Sequence, residues 1–137
     1  TIFRAESSRA KLLAGATIDT DMPGVKFYEK EYAYDGDEST FFCTPYSDLE
    51  GEHFTVTLDS PARTRRVAVV FDDSKEYPHG AVLEASADGK TYYKVADEVK
   101  GGRMEARFKT RRKVKALRLR LTREQQNRLT IREFYFR

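Results

Sequence analysis

His53-Phe54-Thr55-Val56-Thr57-Leu58-Asp59, closed by Ser60-Pro61, is the stretch from which the fold class follows. Apolar and polar residues alternate along it, the period of a strand with one face on a core and the other in water. Phe54, Val56 and Leu58 are expected to face inward. Proline has no N–H to give to a ladder, so Pro61 is expected to end the strand.

The same grammar runs through the neighbouring segments. Val67-Ala68-Val69-Val70-Phe71 is an unbroken apolar run, suited to a central strand covered on both faces, and the polar segment Asp72 to His79 is expected as a loop. Ala81 to Ser86 and Thr91 to Ala96 read as strands joined by Ala87-Asp88-Gly89-Lys90, a hairpin with Gly89 placed for a left-handed residue. Met104, Ala106 and Phe108 alternate with charged residues, as do Leu117, Leu119 and Leu121; Val114 is out of phase, so a bulge is expected near Lys115 or Ala116. Leu129 to Phe136 alternates again. Upstream, Leu13 to Ile18 has short β character, Asp21-Met22-Pro23-Gly24 is a turn, and Val25 to Tyr32 reads as a long loop. Seven or eight short strands and no long amphipathic helix predict an all-β fold, an antiparallel jelly-roll β-sandwich. Residues 1–12 are expected as a connector or peripheral strand and 13–137 as one module.

Composition bounds the function. At 137 residues, 39% hydrophobic and 34% charged, the chain suits one globular domain, and no apolar run approaches membrane-spanning length. The N-terminal Thr1-Ile2-Phe3-Arg4 resembles a cut inside a longer polypeptide, so a missing signal segment says nothing about compartment. The lone Cys43 excludes an intrachain disulfide and is expected as a small buried hydrophobe. The net charge of +3 covers a near balance of 25 basic and 22 acidic residues. Basic residues thicken from Arg103 to Arg123, but without a nucleic-acid-binding module or stacking aromatics; a solvated outer face of a sheet is expected there, and no nucleic-acid partner. One Cys, two His and no nucleophile elbow or metal-helix motif give no catalytic constellation, so the domain itself is not expected to be an enzyme.

One polar run stands apart: Ala33-Tyr34-Asp35-Gly36-Asp37-Glu38-Ser39-Thr40-Phe41-Phe42. Asp and Gly make tight turns, and oxygen ligands spaced across such a turn suit a hard cation such as calcium. Together with Leu13-Ala14-Gly15-Ala16-Thr17, Leu58-Asp59-Ser60-Pro61, Glu84-Ala85-Ser86-Ala87-Asp88-Gly89-Lys90-Thr91-Tyr92, Val114 to Leu119 and Leu129-Thr130-Ile131-Arg132-Glu133-Phe134, the chain resembles the F5/8 type C (discoidin-like) family from Leu13 to Phe136. Its bacterial members include the family 32 carbohydrate-binding modules, and the version here looks most like modules attached to hexosaminidases and family 84 glycosidases.

The resemblance implies a galactose-binding-domain jelly roll and a structural calcium ion joining the opening turn to the last strand. Its implied ligands are the carboxylates of Asp35 and Glu133, the hydroxyl and carbonyl of Thr40, and the backbone carbonyls of Tyr32, Asp37 and Arg132. Against this stands a plain alternative, with Asp35 capping a turn and Glu133 paired to Arg132 or Arg128. The resemblance also implies weak glycan binding by loops at one end, the sugar galactose- or N-acetylglucosamine-containing. Candidate contacts are Tyr46, His53, Asp72, Tyr77, His79, Arg123, Gln126 and Asn127. It further implies a partner catalytic domain in the parent chain, a secreted, periplasmic or cell-surface location, and no membrane insertion. Interdomain bracing without sugar binding, or a role in cell-surface adhesion, is the alternative. Phe42 stands where the family usually has Trp, and the chain has no Trp at all.

Overall fold

The computed structural model describes residues 13, 15–45, 50–72 and 76–137. The expected connector at 1–12 and the candidate Tyr46 lie outside the described residues. Seven strands are present among them: β1 (Ala16–Thr20), β2 (Phe42–Cys43), β3 (His53–Phe71), β4 (Ala81–Ser86), β5 (Tyr93–Ala96), β6 (Arg103–Leu121) and β7 (Thr130–Phe136), with one short 3-10 turn over Lys30–Tyr34. All pairings between them are antiparallel.

Two strands of 19 residues, β3 and β6, pair with each other along their length and bend together. The first half of β3 carries β1 on its outer side, and the second half of β6 carries β4 and then β5. The other halves continue into a second layer, in which β7 lies beside β3 and β2 beside β7. The outcome is the expected all-β jelly-roll sandwich, its two layers joined through the bend. Core side chains meet from both layers: the Phe54 ring lies 5.1 Å from Phe42 of β2 and 5.6 Å from Phe134 of β7. Phe54, Val56, Val67, Val69, Leu83, Leu117, Leu119, Leu121, Ile131 and Phe134 are fully buried. Phe42 and Cys43 are buried too, so phenylalanine serves in this core slot.

Pro61 does not end a strand. β3 runs through it, because its missing N–H falls where the ladder to β6 is already interrupted. Residues 58–61 of β3 are set against Lys115 alone, and farther along residues 108–111 of β6 are set against Arg65 alone. The bulge expected near Lys115 or Ala116 is therefore present, but its extra residues belong to β3. The two irregularities offset each other and restore the register. The hairpin stands as expected, with Gly89 at φ 79°. β1 begins at Ala16 rather than Leu13, and the 25–32 loop runs into the 3-10 turn.

The run from Arg103 to Arg123 is not one solvated sheet face. Arg118 and Arg120 do lie on the outer face of the larger layer, clasping Glu84, whereas Arg111, Arg112 and Lys113 sit on the bend.

His53 pairs with Arg120 and Val70 with Arg103, and the shared bend, with the Thr122 N–H to Gly80 and Thr130 N–H to Glu76 hydrogen bonds across the connections, brings both ends of β3 and of β6 to one end of the sandwich. The β2–β3, β3–β4 and β6–β7 connections gather there: Gly51 N–H donates to the Leu121 carbonyl and Thr122 N–H to that of Gly80. The bend forms the opposite end.

Candidate functional site

At the Asp35 turn, the 3-10 segment delivers the chain against the middle of β7. Glu133 is 1% exposed, and its carboxylate accepts hydrogen bonds from the backbone N–H groups of Asp35 (3.3 Å) and Gly36 (2.9 Å). Gly36 holds φ 82°, a conformation open to glycine, and this turns its N–H onto Glu133. Thr40 Oγ1 donates to Asp35 Oδ2 (2.5 Å) and lies 2.9 Å from the Asp37 carbonyl. Asp37 turns its own carboxylate outward to accept from Ser39 N–H and Oγ, and these bonds hold its pKa below the ordinary value. Its carbonyl, not its side chain, faces the turn.

Burial is the main cause that pushes the Glu133 pKa up to about 8, and the nearby Asp35 charge adds to it. Neither Arg132 nor Arg128 relieves it, as the plain alternative requires. Arg132 donates to the Glu38 carbonyl (2.9 Å), contacts Asp72 (3.4 Å) and lies over the Phe41 ring, while Arg128 pairs with Glu76. Arg132 occupies the register shift where Val70 pairs with Glu133 and Phe71 with Ile131. Tyr32 lies on the 3-10 turn that leads into Asp35. Among the described residues no group of three or more His, Cys, Asp or Glu converges as a metal site. Two neighbouring carboxylates, one buried without a cationic partner, with hydroxyl and carbonyl oxygens beside them, nevertheless form an oxygen-only donor set that fits a hard cation.

At the loop end, Gln125 is 2% exposed and uses its amide to bind two connections together. Its Oε1 accepts from His79 N–H (2.7 Å), and its Nε2 donates to the carbonyls of His79 and Arg123 (2.9 Å each). Arg123 Nε also donates to the His79 carbonyl (3.1 Å), and its side chain lies across Gly80 so closely that a Cβ there would stand 2.6 Å from it. Gly80, at φ 91°, is thus required both by its backbone and by this approach. Tyr77 and His79 hold their rings 4.8 Å apart, with Tyr77 packed against the core and His79 exposed.

Tyr77, His79 and Arg123 are therefore brought together, with exposed Gln126 on the same loop and Asn127 donating to the Arg128 carbonyl. Two other candidates are drawn elsewhere. His53 is bound by Asp21 through its N–H (2.8 Å) and by Thr55 through Nδ1 (3.1 Å), with Asp19 3.9 Å from Nε2. Asp72 faces Arg132. Sequence reasoning passed over Gln125 in favour of its neighbour Gln126, since nothing local distinguishes two adjacent glutamines. It also left Phe27 inside a loop; the ring is 74% exposed at φ 76°, and Tyr28 beside it stacks on Phe41 at 5.0 Å. Aromatics outside any alternating pattern were the available signal.

Residues 17–134 match the family profile of the F5/8 type C domain. The chain belongs to that family. No curated protein sequence gave a match. Among solved structures, the F5/8 type C domain described here is similar to CBM32-1 from a family 31 glycoside hydrolase of Clostridium perfringens, with 19% identity, a TM-score of 0.73, and 93% of this chain and 96% of the other covered. It is also similar to chitosan-binding module 2, in complex with chitotriose, from a chitosanase/glucanase of Paenibacillus sp. IK-5, with 18% identity, a TM-score of 0.71, and 93% and 98% covered. A third is the family 32 CBM of C. perfringens NanJ in complex with galactose, with 15% identity, a TM-score of 0.67, and 88% and 92% covered. These likenesses establish a shared fold.

Proposed function

We propose that this F5/8 type C domain is a non-catalytic carbohydrate-binding module of a larger secreted or periplasmic glycoside hydrolase, holding glycans weakly through its end loops. The observation that carries this reading is the Tyr77–His79–Arg123 cluster at the loop end, where buried Gln125 ties the His79 and Arg123 backbones together and the Tyr77 ring lies beside His79. An aromatic ring offers a face to the C–H surface of a sugar, and the imidazole and guanidinium suit its hydroxyls. Similar folds carry chitotriose and galactose, which supports a galactose- or N-acetylglucosamine-type ligand here. Binding is weak because few of these polar groups are both exposed and uncommitted to the loops.

The proposal includes a structural calcium ion held by Asp35, Glu133, the Thr40 oxygens and the carbonyls of Tyr32, Asp37 and Arg132. Its chemistry would be charge neutralisation of the two carboxylates. The chain's own part is to bury Glu133 and to bring the Asp35 turn onto β7 through the Asp35 and Gly36 N–H groups.

A glycan array with the 137-residue chain in calcium, followed by titration of the strongest binder, tests the function. Saturable binding that is lost on Tyr77→Ala and on Arg123→Ala is expected. Silence across the array would overturn it and leave interdomain bracing as the role.

A further inference from the structure

The bend, at the end of the sandwich away from the loops, is densely cationic. Residues 58–66 and 107–115 hold nine cations (Arg63, Arg65, Arg66, Arg107, Lys109, Arg111, Arg112, Lys113 and Lys115) and a single acid, Asp59. The rest of the chain is consequently net acidic, although the whole is +3. Of these nine, only Arg66 and Arg107 have an ion-pair partner among the described residues; they share Glu105 at 3.2 and 3.6 Å.

The backbone register makes this arrangement costly. Arg63 stands directly opposite Lys113 across the ladder, and Arg66 opposite Arg107. Like charges directly opposed on adjacent strands repel and destabilise the pair. Thr64 and Val114 are buried, so the alternating Arg63 and Lys113 point outward. Arg111 leans across the same ladder to donate to the Arg63 carbonyl (3.3 Å), which adds a third cation to the pair. Arg63, Arg65, Lys109, Arg111, Arg112 and Lys113 are all exposed.

We propose that this ribbon is a second binding surface, for an extended anionic polysaccharide whose carboxylate or sulfate groups supply the missing counter-charge. Planar guanidinium forks suit both groups, and a twisted two-stranded ribbon presents them in a row. Two observations favour a polysaccharide over other polyanions. Nucleic acid without a duplex is held by bases stacked on open aromatic faces. Here Arg112 lies over the two rings beside it, 4.6 Å from Phe108 and 5.7 Å from Tyr93, and takes up the faces a base would need. A bilayer wants an apolar wedge beside the cations. Of the exposed large apolar side chains among the described residues, Phe27 and Tyr28 belong to the β1–β2 connection at the loop end, Leu13 lies against Gly36, and Tyr93 at the ribbon has Arg112 over its ring. The ribbon shares no residue with the loop-end cluster, so either site stands without the other.

Affinity measurements with dextran sulfate and with polygalacturonate test the proposal and separate the sulfate source from the carboxylate source. Neutral dextran, anionic phospholipid vesicles and single-stranded oligothymidylate complete the set. Binding to at least one of the two polyanions is expected, falling roughly tenfold or more between about 50 and 200 mM salt as the charges are screened. The triple variant Arg63→Gln/Arg111→Gln/Lys113→Gln should lose roughly tenfold or more of it. It should melt no lower than the parent, because it removes repulsion, and should keep any binding of neutral sugar. Should it fail to fold, Arg63→Gln and Lys113→Gln alone are each expected to weaken binding. No binding to either polyanion at low salt, unchanged affinity in the variants, or tighter binding to vesicles or oligothymidylate would overturn the proposal.

Discussion

Gln125 uses both ends of its amide on the loops around it, accepting from His79 N–H and donating to the carbonyls of His79 and Arg123. Gln125→Ala leaves the His79 N–H and the Arg123 carbonyl without these partners, though Arg123 Nε still donates to the His79 carbonyl. It should cost about 1–3 kcal/mol, read from urea unfolding. The same variant should weaken glycan binding, because His79 and Arg123 lose their common anchor. Glu133 presents the opposite case, a buried carboxylate satisfied by two N–H donors but facing another carboxylate. Calcium added to chelated protein should raise the melting temperature, and the rise should grow with the logarithm of its concentration once that exceeds the dissociation constant. Glu133→Gln should abolish that rise while leaving the chelated protein at least as stable as the parent. A parent indifferent to calcium would remove the ion from the proposal. The Asp-Gly-Asp run was legible in the sequence as a device. Which of its oxygens turn inward was not, because Asp35 and Asp37 are alike until the turn places one carboxylate toward Thr40 and the other toward Ser39.

Among the elements, the β4–β5 hairpin was the most readable, since its turn is closed by its own residues. Asp88 accepts from Thr91 and Lys90 N–H (2.9 and 2.8 Å) and from the Ser86 hydroxyl (2.9 Å). These bonds, the Thr91 N–H foremost, hold its pKa near 2, below the ordinary aspartate value. A carboxylate whose folded value is depressed adds stability above its unfolded value, about 3.9, and loses it as pH falls toward the folded one. Melting curves from neutral pH down to about 2 should therefore show the gap between parent and Asp88→Asn closing across that window. A gap that stays constant would mean the carboxylate's charge is irrelevant to the turn. The long strands were harder to read. Residues 59–61 and 109–113 are exposed one after another, so no apolar alternation marks the continuity of β3 through Pro61 or of β6 through Arg111–Lys113. On the outer face, Glu84 sits between Arg118 (2.9 Å) and Arg120 (3.2 Å). Burial alone would raise its pKa, but the arginine hydrogen bonds together outweigh that and lower it. Nothing in the sequence pairs these three residues, which lie 34 and 36 positions apart.

Across the whole molecule, the two layers are held by side chains from distant segments. Phe54 lies between Phe42 and Phe134, at 5.1 and 5.6 Å, and is fully buried. Phe54→Ala should destabilise the domain by about 3–5 kcal/mol in denaturant unfolding, through lost burial and a cavity shared by both layers. A cost no larger than a surface substitution's would mean the layers are not joined there. Strand type and most inward-facing residues were determined by the sequence alone, because side-chain alternation is a local property with a fixed period. Leu58, expected to face inward with Phe54 and Val56, is only half-buried, because the irregularity in β3 begins there. The membership of the Asp35 turn in a recognisable family order was equally visible along the chain. What only the tertiary structure decided is every relation that crosses the sandwich: Glu133 beneath the Asp35 turn, Gln125 between two loops, and the like charges of Arg63 and Lys113 set face to face. The physical reason is that register between distant strands is set by packing and by the ladder's irregularities. A shift of one residue reverses which side chains meet, and no local pattern records that choice.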